Sequence, residues 1–206
     1  MGNIGAGSAV IMVATLAMSL VALYVSPALL ERCVFRPYWV TRRHEYHTIL
    51  TSGLTHADLP HLIFNGVTFW FFAVPLERII GTVPFLALYL LGLLFSETGS
   101  WLKHRNDPNY ATLGASGAIS AALFAAIVYV PTQTLIILPI PIPIPAPLFG
   151  VGYLAYSWWS SRQSRGGRIN HDAHFGGAVW GLLFVALTDP GAYARAWAQV
   201  SQSLGL

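Results

Sequence analysis

Charge is what this sequence has least of. Aspartate, glutamate, lysine and arginine make up 9% of the 206 residues, against 55% hydrophobic, and the mean hydropathy is +0.58. A soluble domain carries about 25% charged residues. Too few are present here to cover a water-facing surface, which implies a polytopic membrane protein. The net charge of +3 comes from 11 basic residues dispersed among connecting segments. That spread points to anionic lipid headgroups rather than nucleic acid. Cysteine is nearly absent: Cys33 stands alone, so no intramolecular disulfide is available. No basic stretch precedes the first apolar run and no small-residue cleavage motif closes it, so that run reads as a retained anchor. MGNIGA lacks the serine or threonine of a myristoylation signal.

What is present is a series of charge-free runs, and a helix needs roughly 17–25 apolar residues to cross the hydrocarbon. Ser8 to Leu30, Leu59 to Leu76 and Ile79 to Ser96 are the first three expected spans. Between Asp107 and Arg162 no charge occurs, but PIPIPIPAP divides that run with prolines at 139, 141, 143, 145 and 147. Alternating prolines remove backbone donors and cannot propagate a helix. Gly114 to Val130 is thus a fourth span, Leu148 to Trp159 a short fifth and Ala173 to Leu187 a sixth. The proline-rich loop, 131–147, is expected to be an extended apolar strap at the membrane surface. The reading is one all-α domain over 1–206, with backbone groups satisfied inside helices as lipid requires.

The connection 31–58 is long and mixes Arg32, Arg36, Arg42 and Arg43 with Phe35, Tyr38, Trp39 and Tyr46. Aromatic rings and arginines favour the headgroup level, so this segment reads as an interfacial loop.

Four polar groups lie where a bilayer makes them costly: His61, Asn65, Ser116 and His174. His61 and Asn65 are four residues apart and share a helix face, with His56 just before. Taken alone, such a pair also serves as interhelical cement. His174 stands in AHFGGAVWG, where Gly177 and Gly181 follow on its face in the small-xxx-small spacing that lets helices approach closely. Asp172 reads as the N-cap of that helix and not as a third member of a triad. Ser116 begins an apolar run in TLGASGAISA, where first-turn amides lack intrahelical acceptors and the helix dipole is positive. Gly114 and Gly117 keep side chains away from those donors. A hydroxyl there and an imidazole on a closely packed helix form a nucleophile and its base. His61, Asn65 and the Ser116 amide are then candidates to hold an oxyanion.

These residues resemble the rhomboid family of intramembrane serine proteases, over a stretch from about Glu45 to Ala186. HADLPHLIFN is similar to the family's histidine–asparagine signature, ERIIG to its E-x-x-x-G, GASG to its nucleophile motif and AHFGGAVWG to its histidine helix. The resemblance implies a six-helix bundle with a Ser116–His174 dyad, no cofactor and no metal. It also implies His61 and Asn65 at the oxyanion, His56 supporting the first loop, and single-span membrane proteins as substrates in the bilayer of a bacterial inner or plasma membrane. Two positions depart from the family's pattern. The Trp-Arg that many members carry after a first-loop glutamate is absent after Glu45. A tyrosine that some members carry one turn after the nucleophile is Ser120 here.

By loop alternation, nine basic residues (Arg32, Arg36, Arg42, Arg43, Lys103, Arg105, Arg162, Arg165 and Arg168) share the active-site face. Only Arg78 and Arg195 lie opposite. The positive-inside rule turns the first face to the cytoplasm, whereas the resemblance implies the exterior. A non-catalytic relative that binds membrane helices is the alternative function. A metal site from His56, His61, His171 and His174 is disfavoured, because no H-E-x-x-H is present and His171 lies in a polar loop sequence.

Overall fold

The computed structural model describes residues 3–137, 140–163 and 169–205. α1 (Ala6–Tyr24) is followed by three short helices, α2 (Pro27–Cys33), α3 (Pro37–Arg42) and α4 (Thr48–Thr51), then a 3-10 turn at Ser52–Leu54. α5 (Leu59–Thr68) passes through a π turn (Phe69–Ala73) into α6 (Val74–Ile80), and α7 (Thr82–His104) follows directly. α8 (Ser116–Tyr129) leads into a hairpin of β1 (Thr134–Ile137) and β2 (Ile140–Pro145). α9 (Ala146–Gln163), α10 (His171–Thr188) and α11 (Gly191–Leu204) complete the chain. The result is an all-α membrane bundle with one small hairpin.

Ala6–Tyr24, Leu59–Ile80 and Thr82–His104 are each long and apolar enough to cross a membrane. α8, at 14 residues, is shorter. At 1.5 Å per residue it spans about 21 Å, less than the ~30 Å hydrocarbon. Several boundaries differ from those read by charge alone. The first helix stops at Tyr24, because Pro27 draws Ser26 out of the helical region (φ −141°, ψ 85°) and opens a separate helix. α7 continues past Ser96 to His104, since Glu97 is buried within the protein rather than marking a water-facing end. α11, which charge counting did not reveal, turns away from α10 by 107°.

The proline-rich segment, expected to be extended, is extended and paired as an antiparallel hairpin, in which Pro145 faces Thr134 and Ile144 faces Leu135. Ala146 N–H donates to Gln133 C=O at 2.9 Å, so amides at even positions of β2 point toward β1. Pro143 and Pro145 fall between them, where no donor to β1 is needed. Proline is thereby compatible with the ladder. Pro139, Arg165 and Arg168 lie outside the described residues.

Small residues determine how the central helices meet. Ala118, Ala121, Ala122 and Ala125 of α8 are fully buried. A Cβ on Gly177 of α10 would overlap the Gly117 carbonyl oxygen, and one on Gly181 would overlap that of Ala121. α7 joins them through Gly92, which faces Ala118 and Ala121, and through a 3.0 Å bond from Trp180 Nε1 to the Leu88 carbonyl.

A second fixed point is Glu77 of α6, which is 2% exposed. It accepts from the α1 amides of Gly7 (2.9 Å) and Ser8 (2.8 Å) and from Thr82 Oγ1 (2.8 Å). A carboxylate at a helix N-terminus meets orphan amides and the positive end of the dipole together.

Replacing Gly177 by valine is expected to destabilise the protein by about 1–3 kcal/mol, the usual cost of overpacking. Gly66→Ala, inside α5 at a position with open space around it, is expected to leave stability unchanged or raise it by up to about 1 kcal/mol. Thermal unfolding in detergent compares the two.

Candidate active site

The loop before α8 is fastened from three directions. Phe35 and Thr112 exchange backbone bonds of 2.9 and 3.0 Å, tying the loop to the interfacial segment. Gly114 N–H donates to Ser52 C=O at 2.9 Å. Asn170 Nδ2 donates to Ser100 Oγ (2.9 Å) and Thr112 Oγ1 (3.2 Å), while its oxygen accepts from Ala173 N–H (3.0 Å) as the N-cap of α10. Asn170, and not Asp172, therefore caps this helix. Asp172 instead pairs with Lys103 (3.0 Å) and His104 (3.3 Å), the latter stacked on Tyr110 at 3.6 Å. Side-chain capping by asparagine is as strong as by aspartate, and the basic end of α7 draws the carboxylate away.

At Gly114 the backbone turns through φ +118°, a conformation that only glycine adopts without strain. A Cβ there would fall 2.6 Å from His61 Cε1, 2.8 Å from His61 Nε2 and 3.7 Å from Asn65 Nδ2. Two side chains of α5 thus converge on the backbone immediately before Ser116. Asn65 Nδ2 is buried and has no hydrogen-bond partner among the described residues. A buried donor without an acceptor is costly, which marks this point as chemically special.

Ser116 is the first residue of α8 and is partly exposed; His174 lies in the first turns of α10 and is likewise partly buried. The helices bring these two levels together. The Cβ position of Gly117 meets the Ala173 carbonyl at 3.3 Å and clashes with Ser96, while Gly177 sits on Gly117. No hydrogen bond joins the Ser116 hydroxyl to the His174 ring among the described residues. His171, expected in a loop, opens α10 and meets His174 edge-on at 6.1 Å. Among the described residues no three histidine, cysteine or acidic side chains gather as a metal-binding group.

His56 is fully buried outside the spans. Its Nδ1 lies 3.0 Å from Ser19 Oγ of α1, and its ring meets His61 edge-on at 4.9 Å. Burial, reinforced by His61 and opposed by Asp58, lowers its pKa from 6.5 to about 3, so the ring is neutral at pH 7. An apolar cavity of about 390 Å³ opens between α1 and α5, bounded by Leu16, Leu20, Ile63 and Trp70 and reaching Asn65 and Ala115.

Sequence reasoning missed two residues of this region. Asn170 lay in a polar stretch with nothing to connect it to Thr112. Tyr153 of α9 stacks on His174, with centroids 6.2 Å apart and planes at 20°, and its hydroxyl lies 3.1 Å from Ser120 Oγ. A tyrosine in an apolar helix carries no local signal of such a partner.

The Rhomboid domain profile matches residues 43–190. This chain belongs to the rhomboid family. It is 36% identical over 86 residues to rhomboid protease GluP of Bacillus subtilis (strain 168), covering 42% of this chain and 16% of that protein. It is 31% identical over 104 residues to the mitochondrial RHOMBOID-like protein 12 of Arabidopsis thaliana (43% and 31%). It is 29% identical over 148 residues to the mitochondrial presenilin-associated rhomboid-like protein of Homo sapiens (66% and 36%). The chain spans about a third of the length of the curated relatives it matches first, with 37%, 31% and 36% covered. As a rhomboid it is a multi-pass membrane protein, in a family that includes serine intramembrane proteases.

The histidine beside the α5 entrance makes a pH prediction. In the unfolded chain His56 takes up a proton near pH 6.5, whereas in the folded protein it does so only near pH 3. The unfolded state binds more protons between these values, so stability is intact above pH 6.5 and is lost as pH falls toward 3. The unfolding temperature of the wild type is expected to drop more steeply over that window than that of His56→Asn.

Proposed function

We propose that this rhomboid is an intramembrane serine endopeptidase acting through Ser116 and His174. Ser116 Oγ attacks the scissile carbonyl carbon while His174 takes the hydroxyl proton. The tetrahedral oxyanion is held by the Ser116 amide, His61 and Asn65. As the C–N bond breaks, His174 returns the proton to the leaving amine. Water, deprotonated by the same imidazole, then attacks the acyl-enzyme and frees the serine.

The observation that carries this reading is the convergence at Gly114: two side-chain donors, one of them buried without a partner, lie beside the first turn of the helix that Ser116 opens. Donors fixed in advance at a developing negative charge, away from bulk water, are the largest single source of rate in acyl transfer. Gly114 keeps that approach open, whereas Gly117 faces Ser96 and the Ala173 carbonyl and serves the packing of α8 against α7 and α10; Gly177 and Gly181 hold α8 and α10 at contact distance. The substrates are single-span membrane proteins, in keeping with the apolar cavity beside Asn65.

Ser116→Ala and His174→Ala are each expected to abolish cleavage of a single-span substrate in liposomes without lowering the unfolding temperature. Asn65→Ala is expected to lower the rate by about 10²–10³, the usual loss for one oxyanion donor. A fluorophosphonate is expected to label wild type at Ser116. A folded wild type that takes no label would mean a protein that binds membrane helices without cutting them.

A further inference from the structure

We propose that Tyr153 is a positioning residue for His174, reaching across from α9, with Ser120 fixing the height of its phenol. This rests on the dyad reading above. Among the described residues no carboxylate bonds to His174, and the nearest in sequence, Asp172, is engaged by Lys103 and His104. Something other than an acid must orient the ring. Tyr153 lies nearly parallel to it, at 6.2 Å and 20°, in the offset geometry aromatic rings prefer.

The tyrosine is itself immobilised. Phe124 of α8 and Phe149 of α9 each pack against it with centroids 5.6 Å away. Its hydroxyl is joined at 3.1 Å to Ser120, which is 3% exposed and stands one helical turn after Ser116. The nucleophile's own helix thus sets where the ring under the histidine can sit. On its other side His174 meets His171 edge-on, and His171 meets Tyr156 of α9 at 5.4 Å and 87°. The imidazole is bracketed by two aromatic contacts that both trace back to α9. Displacing α9 therefore releases the ring from alignment, which makes the competence of the base depend on that helix being docked.

The experiment measures the rate of Ser116 labelling by a fluorophosphonate, and kcat and KM on a single-span substrate, with unfolding temperatures as a fold control. The variants are Tyr153→Phe, Tyr153→Ala, Ser120→Ala and the double variant Ser120→Tyr/Tyr153→Ala. Tyr153→Ala is expected to lose about tenfold in labelling rate and kcat with KM unchanged, which is what one aromatic pair is worth when expressed in a barrier. Tyr153→Phe keeps the stack but loses the Ser120 bond and is expected to fall between wild type and Tyr153→Ala; Ser120→Ala should match it. The double variant, which restores a ring from α8, is expected to regain most of what Tyr153→Ala loses. A Tyr153→Ala rate within twofold of wild type overturns the inference. So does a loss that follows the unfolding temperature and is rescued by neither Phe nor relocation. If folded wild type takes no label at all, the dyad reading falls and this inference falls with it; if wild type labels, only the role of Tyr153 is in question.

Discussion

The structure depends on two helices meeting with no side chain between them. Where Gly177 and Gly181 of α10 cross α8, the contact is with the carbonyl oxygens of Gly117 and Ala121. Lipid tails are as apolar as leucine, so association inside a bilayer draws on dispersion and close approach rather than on release of water. A single methyl group at either glycine would push the helices apart. The levels of Ser116 and His174 would separate with them, since each lies within one turn of the crossing.

The remaining scaffold fixes the ends of the helices that form this crossing. Glu77 caps α1 from the far side of the bundle, pinning the first helix to the turn between α6 and α7. At the near side, Asn170 caps α10 and holds the Thr112 segment with the same side-chain amide. Polar residues do in two places what apolar packing cannot do in lipid, which is to specify one register. Arginines of the connecting segment lie over rings, Arg42 on Tyr38 at 3.9 Å and Arg43 on Trp39 at 3.8 Å. Flat cations on flat rings suit a layer of phosphates and partial hydration.

Much of this was legible without coordinates. Burying His61, Asn65, Ser116 and His174 in charge-free runs demands partners, and glycines at three and seven residues beyond His174 name the face that supplies them. The family's motifs stand on the same positions. The helix ends were less legible, because absence of charge does not distinguish a helix that ends at Tyr24 from one that runs to Leu30; the proline at 27 does. The hairpin was hidden by a true premise applied too narrowly. Alternating prolines do forbid a helix, yet with period two they leave every second amide free for a ladder. Asn170 and Asp172 are both good caps by type, and only the presence of Lys103 and His104 decides between them. Tyr153 was invisible because its partners lie in two other helices.

That hairpin has a consequence for recognition. On the rim of β2 facing away from β1, Pro143 and Pro145 stand where an ordinary strand would offer amides. A polypeptide arriving in extended form finds no donors there to zip onto. Carbonyl acceptors remain, but the donor half of a third strand's ladder has no counterpart at these two positions, which makes this rim a poor template for strand addition.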